Sequence, residues 1–576
     1  MEINNEEDLK LYDSEKNLFN CRTSIEEGCI KLQLESNYEK YINKFGLFEL
    51  KKMNDYFRHF DNLQDALDDL NGSLEEEKYI IKKESDYINL IIDFGRGKNK
   101  KNVTFVLNND NGDISYENLS DKMKKIIDNN ELVLGIDLGT TNSCAAVMIE
   151  DKIIMIRNSL GSTTTPSFIY FLNRKEVCVG ELVKLLPSNE KNIIYNIKRL
   201  LGKNIDDKEV ANIRDNLPFL LRRDERFDLL KIVINFGNLE EEFYPEQISA
   251  LILKKIIEDS EFYLSKKIGK DIKIKKCVIT VPAYFNQKQR ESTINSAKII
   301  GLDVKTMINE PTSATLVYAK EYFKNTNKKI IVIDFGGGTL DITLLDYGRN
   351  DNGNFFDVKF AYGDSNFGGE DFDNILMSKC IHNFNSSSNE EPNIIYNDEN
   401  RNNYQILRLK RACERAKINL STSNSTEIHI GNYTYTISKS KFIEYCKELY
   451  DKFEDILNKF IKDSQINNKD KYEIILIGKT TLMPEIRGII EKKFENSKLN
   501  FDLDPKETVA KGAAIRGAKF MNLSSVSDIN LFDVTNLSLG IKQKGDIFEI
   551  IIPRSTKFPT PQDVINQKTF MTTEDN

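Results

Sequence analysis

ELVLGIDLGTTNSCAAVMI at residues 131–149 and KKIIVIDFGGGTLDITLLD at residues 328–346 have the same design, although they lie far apart in the chain. In each, an apolar run predicts a strand, an Asp ends it (Asp137 or Asp334), a Gly/Thr turn follows and a second apolar run begins. Glycines let backbone N–H groups approach an anion closely, and an Asp can hold a divalent cation directly or through water. Two such hairpins facing each other would hold the phosphates and the Mg²⁺ of a nucleotide from both sides.

A third segment, VPAYFNQKQRESTINSAKIIGLDVKTMINEPTSATLVYA at residues 281–319, lies between the hairpins. Together the three segments resemble the seventy-kilodalton heat-shock chaperones and, more broadly, the actin/hexokinase-type ATPase superfamily. The resemblance implies an α/β fold, namely a two-lobed actin-like ATPase domain with duplicated phosphate-binding β-hairpins. It also implies a chaperone that hydrolyses ATP slowly to ADP and phosphate with Mg²⁺ and assists protein folding.

The resemblance covers most of the chain but not its beginning. Residues 132–522 match the ATPase domain, 523–533 the interdomain linker and 534–576 the first strands of a peptide-binding β-sandwich. Residues 1–131 lie outside the resemblance and predict a small α+β module of unknown role. In this module the predicted helices are FELKKMNDYFRHF and NLQDALDDLNGSL, and the predicted strands are CIKLQLES, YIIKKE, YINLIIDF and NVTFVLNN.

The C-terminal segment matches only the opening part of the family's sandwich, and the lid is not matched. Half of a sandwich leaves strand edges unpaired, and about three strands alone are marginally stable in water. We therefore expect no tight, nucleotide-controlled grip on extended peptide from this segment.

Composition excludes several classes of protein. The 576 residues are 30% charged and 40% hydrophobic with a net charge of −8, so no basic face for nucleic acid is expected. No apolar run reaches the roughly 18 to 20 residues of a membrane helix, and the acidic N-terminus has no signal-peptide core, which predicts a cytoplasmic location. The eight cysteines form no C-x-x-C pair. We expect free, buried thiols rather than a zinc site.

The resemblance assigns residues to both phosphate loops and to the metal. Asp137 and Asp334 would position Mg²⁺ through its water shell, because Mg²⁺ gives up water reluctantly. Thr339 would lie near the γ-phosphate. The first loop comprises Gly139, Thr140, Thr141 and Asn142, and the second comprises Gly336, Gly337, Gly338, Thr339 and Asp341.

Catalytic roles are also implied by the resemblance. Lys198, in NIIYNIKRLLG, would pair with γ-phosphate oxygens, and Glu310, in NEPTSA, would lie beside the attacking water. Phosphoryl transfer depends mainly on positioning and charge compensation, for which one Lys, several carboxylates and a metal suffice. The predicted catalytic set is Lys198, Glu310, Asp334, Thr339, Asp137 and Asp341.

The predicted nucleoside pocket departs from the family. Ile418 and Leu482 stand where the family has the two arginines that cover adenine, and each lost stack would weaken binding by about 0.5–2 kcal/mol. Lys479 replaces a glycine, and Lys506 replaces an acidic residue. The residues expected to contact the nucleotide outside the phosphate loops are Gly368, Gly369, Glu370, Glu414, Lys417, Ser421, Gly478 and Lys479.

Pro282 and Arg290 match family positions that relay nucleotide state to the linker. The implied partners are unfolded or client proteins, J-domain co-chaperones and nucleotide-exchange factors, with no nucleic acid and no membrane. Asn530 at an apolar linker position and Thr306 at a usually basic one predict weaker docking of the linker and of a J-domain partner.

Two other functions compete with this interpretation. With an altered adenine pocket and a short sandwich, the chain could be a non-catalytic nucleotide-sensing scaffold or regulatory protein. A sugar or metabolite kinase on the same superfamily fold is the third hypothesis, and NEPTSATLVYA together with the linker argues against it.

Overall fold

A computed structural model describes seven strands between Glu7 and Asn109 and then residues 114–558 with gaps. The chain forms two compact units, Met1–Ser115 and Tyr116–Asn576. The first α-helix after this division, Asp121–Asp128, thus belongs to the second unit. The domain boundary that the sequence predicts at residue 131 stays a prediction. The gaps are 186–191, 215–216, 218, 238, 323–326, 352, 388–403, 431–432, 501–502, 536 and 544–546.

The first unit is built on a seven-stranded antiparallel sheet with the strand order β1-β2-β3-β4-β7-β6-β5. The four predicted strands correspond to the third, fifth, sixth and seventh, and the other three were not predicted. The two predicted helices lie outside the described residues. The strands are β1 Glu7–Tyr12, β2 Leu18–Glu26, β3 Cys29–Glu35, β4 Lys40–Gly46, β5 Tyr79–Lys83, β6 Tyr87–Phe94 and β7 Lys101–Asn109.

The second unit alternates strands and helices in two lobes, as predicted for an actin-like α/β domain. Its strands are β8 Val133–Asp137, β9 Asn142–Ile149, β10 Lys152–Met155, β11 Thr164–Pro166, β12 Ile169–Phe171, β13 Val177–Val179, β14 Ile193–Ile194, β15 Leu220–Asp224, β16 Leu229–Phe236, β17 Leu239–Phe243, β18 Lys276–Val281, β19 Asp303–Asn309, β20 Lys328–Phe335, β21 Leu340–Asn350, β22 Gly353–Asp364, β23 Ser425–Ile430, β24 Tyr433–Ser438, β25 Glu473–Ile477, β26 Lys498–Asn500, β27 Ile529–Val534, β28 Leu539–Lys542, β29 Phe548–Ile552 and β30 Lys557–Phe558. Its helices are α1 Asp121–Asp128, α2 Glu181–Leu185, α3 Lys208–Arg214, α4 Pro245–Ile268, α5 Gln287–Ile299, α6 Glu310–Tyr322, α7 Gly369–Ser387, α8 Tyr404–Leu420, α9 Lys439–Tyr445, α10 Lys447–Asp463, α11 Pro484–Lys493 and α12 Thr508–Phe520.

The sheet of the first lobe has the order β10-β9-β8-β18-β19, with β11 also paired to β9. The first predicted hairpin is β8 and β9, which pair antiparallel with Asp137 opposite Cys144. Strands β8, β18 and β19 run parallel. Residues 133–136 of β8 are all buried, as expected for a strand covered on both faces. The acidic end of β8 is therefore carried by a rigid central strand.

The sheet of the second lobe has the order β26-β25-β20-β21-β22-β27-β30. Its β20 and β21 form the second predicted hairpin, with Asp334 opposite Asp341. Beneath the hairpin, the ring of Phe335 stacks on the ring of Phe453, with 5.2 Å between the ring centroids. The centroid of the Phe367 ring lies 5.0 Å from that of Phe335. These buried rings fix the end of β20 and hence the position of Asp334.

Four smaller sheets complete the second unit: β13-β12-β14, β15-β16-β17, β23-β24 and β28-β29. The cysteines of this unit are free thiols, and all of them except Cys178 are buried, which confirms the expectation from composition. A search of the described residues finds no helix with the length and apolarity needed to span a bilayer.

The linker forms a strand of the second lobe. Strand β27 pairs in parallel with β22, where Asn530 lies opposite Phe355, so the polar residue at this position is accommodated in the pairing. The C-terminal strands attach to the same sheet. Strand β30 pairs with β27, and the Arg554 guanidinium donates to the Ala361 carbonyl at 2.7 Å and lies 4.6 Å from the Phe360 ring.

Helix α12 packs so closely on α6 that one of its residues must be glycine. A Cβ on Gly512 would lie 1.9 Å from the Ser313 carbonyl oxygen, which belongs to the backbone and cannot move aside cheaply. We expect Gly512→Ala to destabilise the second unit by about 1–3 kcal/mol, measured as a lower midpoint of thermal or urea unfolding. The matched control is Gly488→Ala in α11, where a Cβ would meet nothing within 4 Å. It should stabilise by about 0.4–1 kcal/mol, and equal effects of the two variants would contradict the packing argument.

Candidate nucleotide site

The turns of the two hairpins lie against each other across the lobes. A Cβ on Gly337 would fall 2.1 Å from the Thr141 hydroxyl oxygen, and one on Gly338 would fall 2.7 Å from the Thr140 methyl group. Only glycine allows this approach, because any side chain would push the turns apart. The prediction that the hairpins face each other is thus met by the geometry.

A cavity of about 560 Å³ lies between the turns, within the range typical of small-molecule sites. It is lined by all but three of the predicted site residues. The three exceptions, Gly338, Gly368 and Asp341, are not among its lining residues. The predicted residues that line it are Asp137, Gly139, Thr140, Thr141, Asn142, Lys198, Glu310, Asp334, Gly336, Gly337, Thr339, Gly369, Glu370, Glu414, Lys417, Ser421, Gly478 and Lys479.

One end of the cavity concentrates buried charge. The Lys198 ammonium, on the 3-10 turn Ile197–Arg199, donates to Glu310 Oε1 at 2.6 Å, and both side chains are buried. Burial and the negative charge of Glu310 raise the pKa of Asp137 to about 7. Burial, again with Glu310, raises the pKa of Asp334 well above its usual value. Among the described residues, the Lys198 ammonium therefore faces more carboxylates than it can compensate.

Asp341 adds to this excess, although it does not line the cavity. Its Oδ1 accepts a hydrogen bond from the Tyr284 backbone N–H at 3.0 Å, while its buried Oδ2 has no hydrogen-bond partner in the described part of the chain. Burial, assisted by Glu310, raises the pKa of Asp341 to about 7. An added cation would relieve the repulsion among these groups.

The carboxylates suit a hydrated cation rather than a directly ligated one. Within the described part of the chain, no three His, Cys, Asp or Glu side chains are grouped closely enough to ligate a metal ion directly. Mg²⁺ usually keeps several of its waters, and spaced carboxylates can accept hydrogen bonds from them. The residues present thus fit Mg²⁺ held through water.

Glu370 was predicted to approach the nucleotide, but its carboxylate is engaged by both lobes. Oε1 accepts from the Thr141 hydroxyl at 3.1 Å, Oε2 accepts from the Asn196 amide, and the Lys410 ammonium lies 3.6 Å away. Burial alone would raise the pKa of Glu370, but Lys410 and Arg199 hold it below its usual value. In this structure Glu370 ties the first phosphate loop to the second lobe.

Arg199 is a residue that sequence reasoning missed. Its buried guanidinium donates to the Gly338 carbonyl at 3.2 Å and to Asp371 Oδ2 at 3.1 Å. It thus reaches from the turn that carries Lys198 to the second phosphate loop. The only signal in the sequence was its place directly after Lys198. The residues that line the cavity but were not singled out from the sequence are Cys144, Thr164, Phe168, Asp373, Lys410, Arg411, Thr422, Thr480, Met483, Pro505 and Val509.

At the other end of the cavity, exposed apolar side chains stand beside two exposed lysines. The side chains of Ile418 and Leu482 line it and are 58% and 44% exposed. Lys479 and Lys506 line the same end and are also exposed. This end can take a flat base by apolar contact. It offers no guanidinium plane at positions 418 and 482, where the family has arginines.

Hydrogen bonds, together with the backbone of residues 283–285, connect the charged end of the cavity to the linker. The backbone of Tyr284 contacts Asp341, and the nearby Arg290 guanidinium donates to Asn309 Oδ1 at 2.8 Å. The Asn309 amide in turn donates to Asp533 Oδ2 at 2.9 Å, and Asp533 is a buried residue of the linker strand. The linker is therefore bonded to elements that begin at the phosphate loops.

The two lobes, the paired Gly turns and the acidic cleft define an actin-like ATPase. The family model of the Hsp70 protein matches residues 133–576. The chain is 35% identical over 455 residues to heat shock cognate 70 kDa protein 3 of Dictyostelium discoideum, covering 77% of the chain and 69% of that protein. It is 36% identical over 441 residues to the chaperone protein dnaK of Cyanidium caldarium, covering 75% and 67%, and 35% identical over 454 residues to a heat shock 70 kDa protein of Neurospora crassa, covering 77% and 66%.

The chain belongs to the Hsp70 family and is an ATPase of the chaperone type. Each match spans about two thirds of the relative's length. The family binds ATP and ADP, generally with Mg²⁺. The comparisons give no support to a non-catalytic scaffold.

The role of Arg199 in joining the lobes can be measured. Arg199→Met should lower the stability of the second unit by roughly 3 kcal/mol, because a buried ion pair loses one partner while Asp371 keeps some solvent. The control is Arg222→Met, which removes two surface ion pairs of a 46% exposed side chain and should cost less than about 1 kcal/mol. Unfolding midpoints of both variants decide the point, and a loss no larger for Arg199→Met than for Arg222→Met would rule out the lobe-joining role.

Proposed function

We propose that this chain hydrolyses ATP in the cavity between its lobes, with Lys198 and Glu310 as the catalytic pair. The supporting observation is the balance of charge at the charged end of the cavity, where the Lys198 ammonium faces Glu310, Asp137 and Asp334. A divalent cation would supply the positive charge that these carboxylates lack, and the phosphates would lie between the two Gly turns, where backbone N–H groups can donate to them.

Lys198 would stabilise negative charge on the phosphate during cleavage. Burial alone would lower its pKa, but Glu310 and Asp137 outweigh burial and raise it, so the ammonium stays charged. A fixed buried cation at this position stabilises the charge that develops on phosphoryl oxygens, and it does so without reorganising. Its hydrogen bond to Glu310 also holds that carboxylate where it can orient an attacking water.

The turns and the nearby acids supply positioning. Thr140, Thr141 and the backbone around Gly337 would donate to the β- and γ-phosphates. Asp137 and Asp334 would accept hydrogen bonds from metal-bound water. Bound Mg²⁺ would neutralise phosphate charge and polarise the bond that breaks.

Coupling to the linker extends the proposal beyond hydrolysis. The bonds that run through Arg290 and Asn309 to Asp533 would make linker docking sensitive to what lies between the turns. Client proteins, J-domain co-chaperones and nucleotide-exchange factors are the partners that this coupling would serve. A cytoplasmic location remains a prediction.

The catalytic assignment is tested by Lys198→Ala. The variant should bind ADP nearly as well as the parent chain and lose about 10²-fold or more in kcat, because Lys198 acts chiefly on the transition state. Single-turnover hydrolysis with Mg²⁺ gives the rate, and calorimetric titration gives the affinity. Lys254→Ala, at a 63% exposed helix position, is the control and should hydrolyse normally. Equal rates for the parent chain and Lys198→Ala would show that the assignment is wrong.

The base end is tested by adding the missing guanidinium planes. Ile418→Arg combined with Leu482→Arg should tighten ATP binding, each plane contributing about 0.5–2 kcal/mol, which is roughly 2- to 30-fold in Kd. Leu239→Arg, at an equally exposed leucine outside the cavity, should leave Kd unchanged. Unchanged or weaker binding by the double variant would mean that the pocket holds the base in another way.

A further inference from the structure

Helices α7 and α8 both line the base side of the cavity, and one ion pair joins them there. The Lys417 ammonium on α8 donates to Asp373 Oδ2 at 2.8 Å and to the Gly369 carbonyl at 2.7 Å, both on α7. An ammonium has three N–H donors, so these two bonds leave one for a ligand. The Lys417 side chain is 13% exposed and lines the cavity.

Asp373 has an environment that is costly for a carboxylate. Asp373 is 3% exposed, and its Oδ1 has no hydrogen-bond partner among the residues that the structure describes. Burial raises the pKa of Asp373 to about 6 in spite of Lys417, and the charges of Glu414 and Glu370 act in the same direction as burial. Because Lys417 is the one side chain to which the described structure bonds Asp373, the carboxylate acts mainly on the position of that lysine.

We propose that Asp373 is a positioning residue for the nucleotide, which it holds only indirectly by fixing the Lys417 ammonium at the cavity wall. The proposal rests on the proposed function, since the remaining N–H of Lys417 would meet an oxygen acceptor of the bound nucleoside. A long lysine side chain that is already ordered loses less freedom when the ligand arrives. Asp373 would therefore raise affinity without touching the ligand.

The first experiment needs no nucleotide. The full-length chain and Asp373→Asn are treated with an amine-acylating reagent, and the labelling rate of Lys417 is read by peptide mass spectrometry. We expect Lys417 to be labelled about 5-fold faster in Asp373→Asn, because it keeps only the Gly369 carbonyl as a strong partner. Lys254, exposed on α4, should react equally in both proteins. An unchanged rate at Lys417 would overturn the positioning role, whether or not the chain binds nucleotide.

The second experiment is ADP titration of five proteins: the parent chain, Asp373→Asn, Asp373→Glu, Lys417→Met and the double variant of Asp373→Asn with Lys417→Met. We expect Asp373→Asn to weaken ADP binding about 5- to 10-fold, Asp373→Glu to restore part of the loss, and the double variant to bind no more weakly than Lys417→Met. A further loss in the double variant would overturn the proposal, because Asp373 would then act independently of Lys417. Normal affinity of Asp373→Asn would also overturn it, whereas failure of the parent chain to bind ADP would overturn the proposed function itself.

Discussion

The structure depends on keeping several carboxylates close together at one end of the cavity between the lobes. Lys198 compensates Glu310 directly, but Asp137 and Asp334 remain, and their raised pKa values show the cost of charging them there. Such repulsion persists only where the backbone prevents the groups from separating. Strands β8 and β20 supply this constraint, because each is a largely buried central strand that carries its Asp at or next to its last residue. The fold therefore creates a negative site that favours a divalent cation before the cation arrives.

A negative cleft between two lobes would tend to open, and the contacts across it oppose that tendency. Glu370 and Arg199 reach in opposite directions across the lobes, and each binds the phosphate loop of the other side. The glycines of the turns permit this closeness, since a methyl group on Gly337 would overlap Thr141. The same small set of residues thus shapes the phosphate site and holds the lobes in register, so affinity and closure should change together when one of them is altered.

Features formed by residues close together in the sequence could be predicted, whereas contacts between residues far apart in the sequence could not. The paired Asp and Gly turns could be found because strand, acid and glycine lie within a few positions of each other. The bond from Arg199 to Gly338 could not, because 139 positions separate the partners and an arginine next to Lys198 has no pattern of its own. Strand β1 was missed because EDLKLY is short and half of its residues are charged. The linker was predicted as a connection, and its pairing with β22 depends on an open sheet edge that only the folded lobe provides.

The two ends of the cavity affect different properties: the phosphate end affects the rate of ATP cleavage, and the base end affects the affinity for the nucleotide. At the phosphate end, fixed charges act on groups that change charge during cleavage, so a change there alters the rate. At the base end, Ile418 and Leu482 offer apolar area to a part of the nucleotide that does not react. Contacts of that kind hold the ground state and the transition state equally and so alter binding alone. Loss of the two arginine planes is therefore compatible with an intact ATPase, because no step of phosphoryl transfer passes through the base.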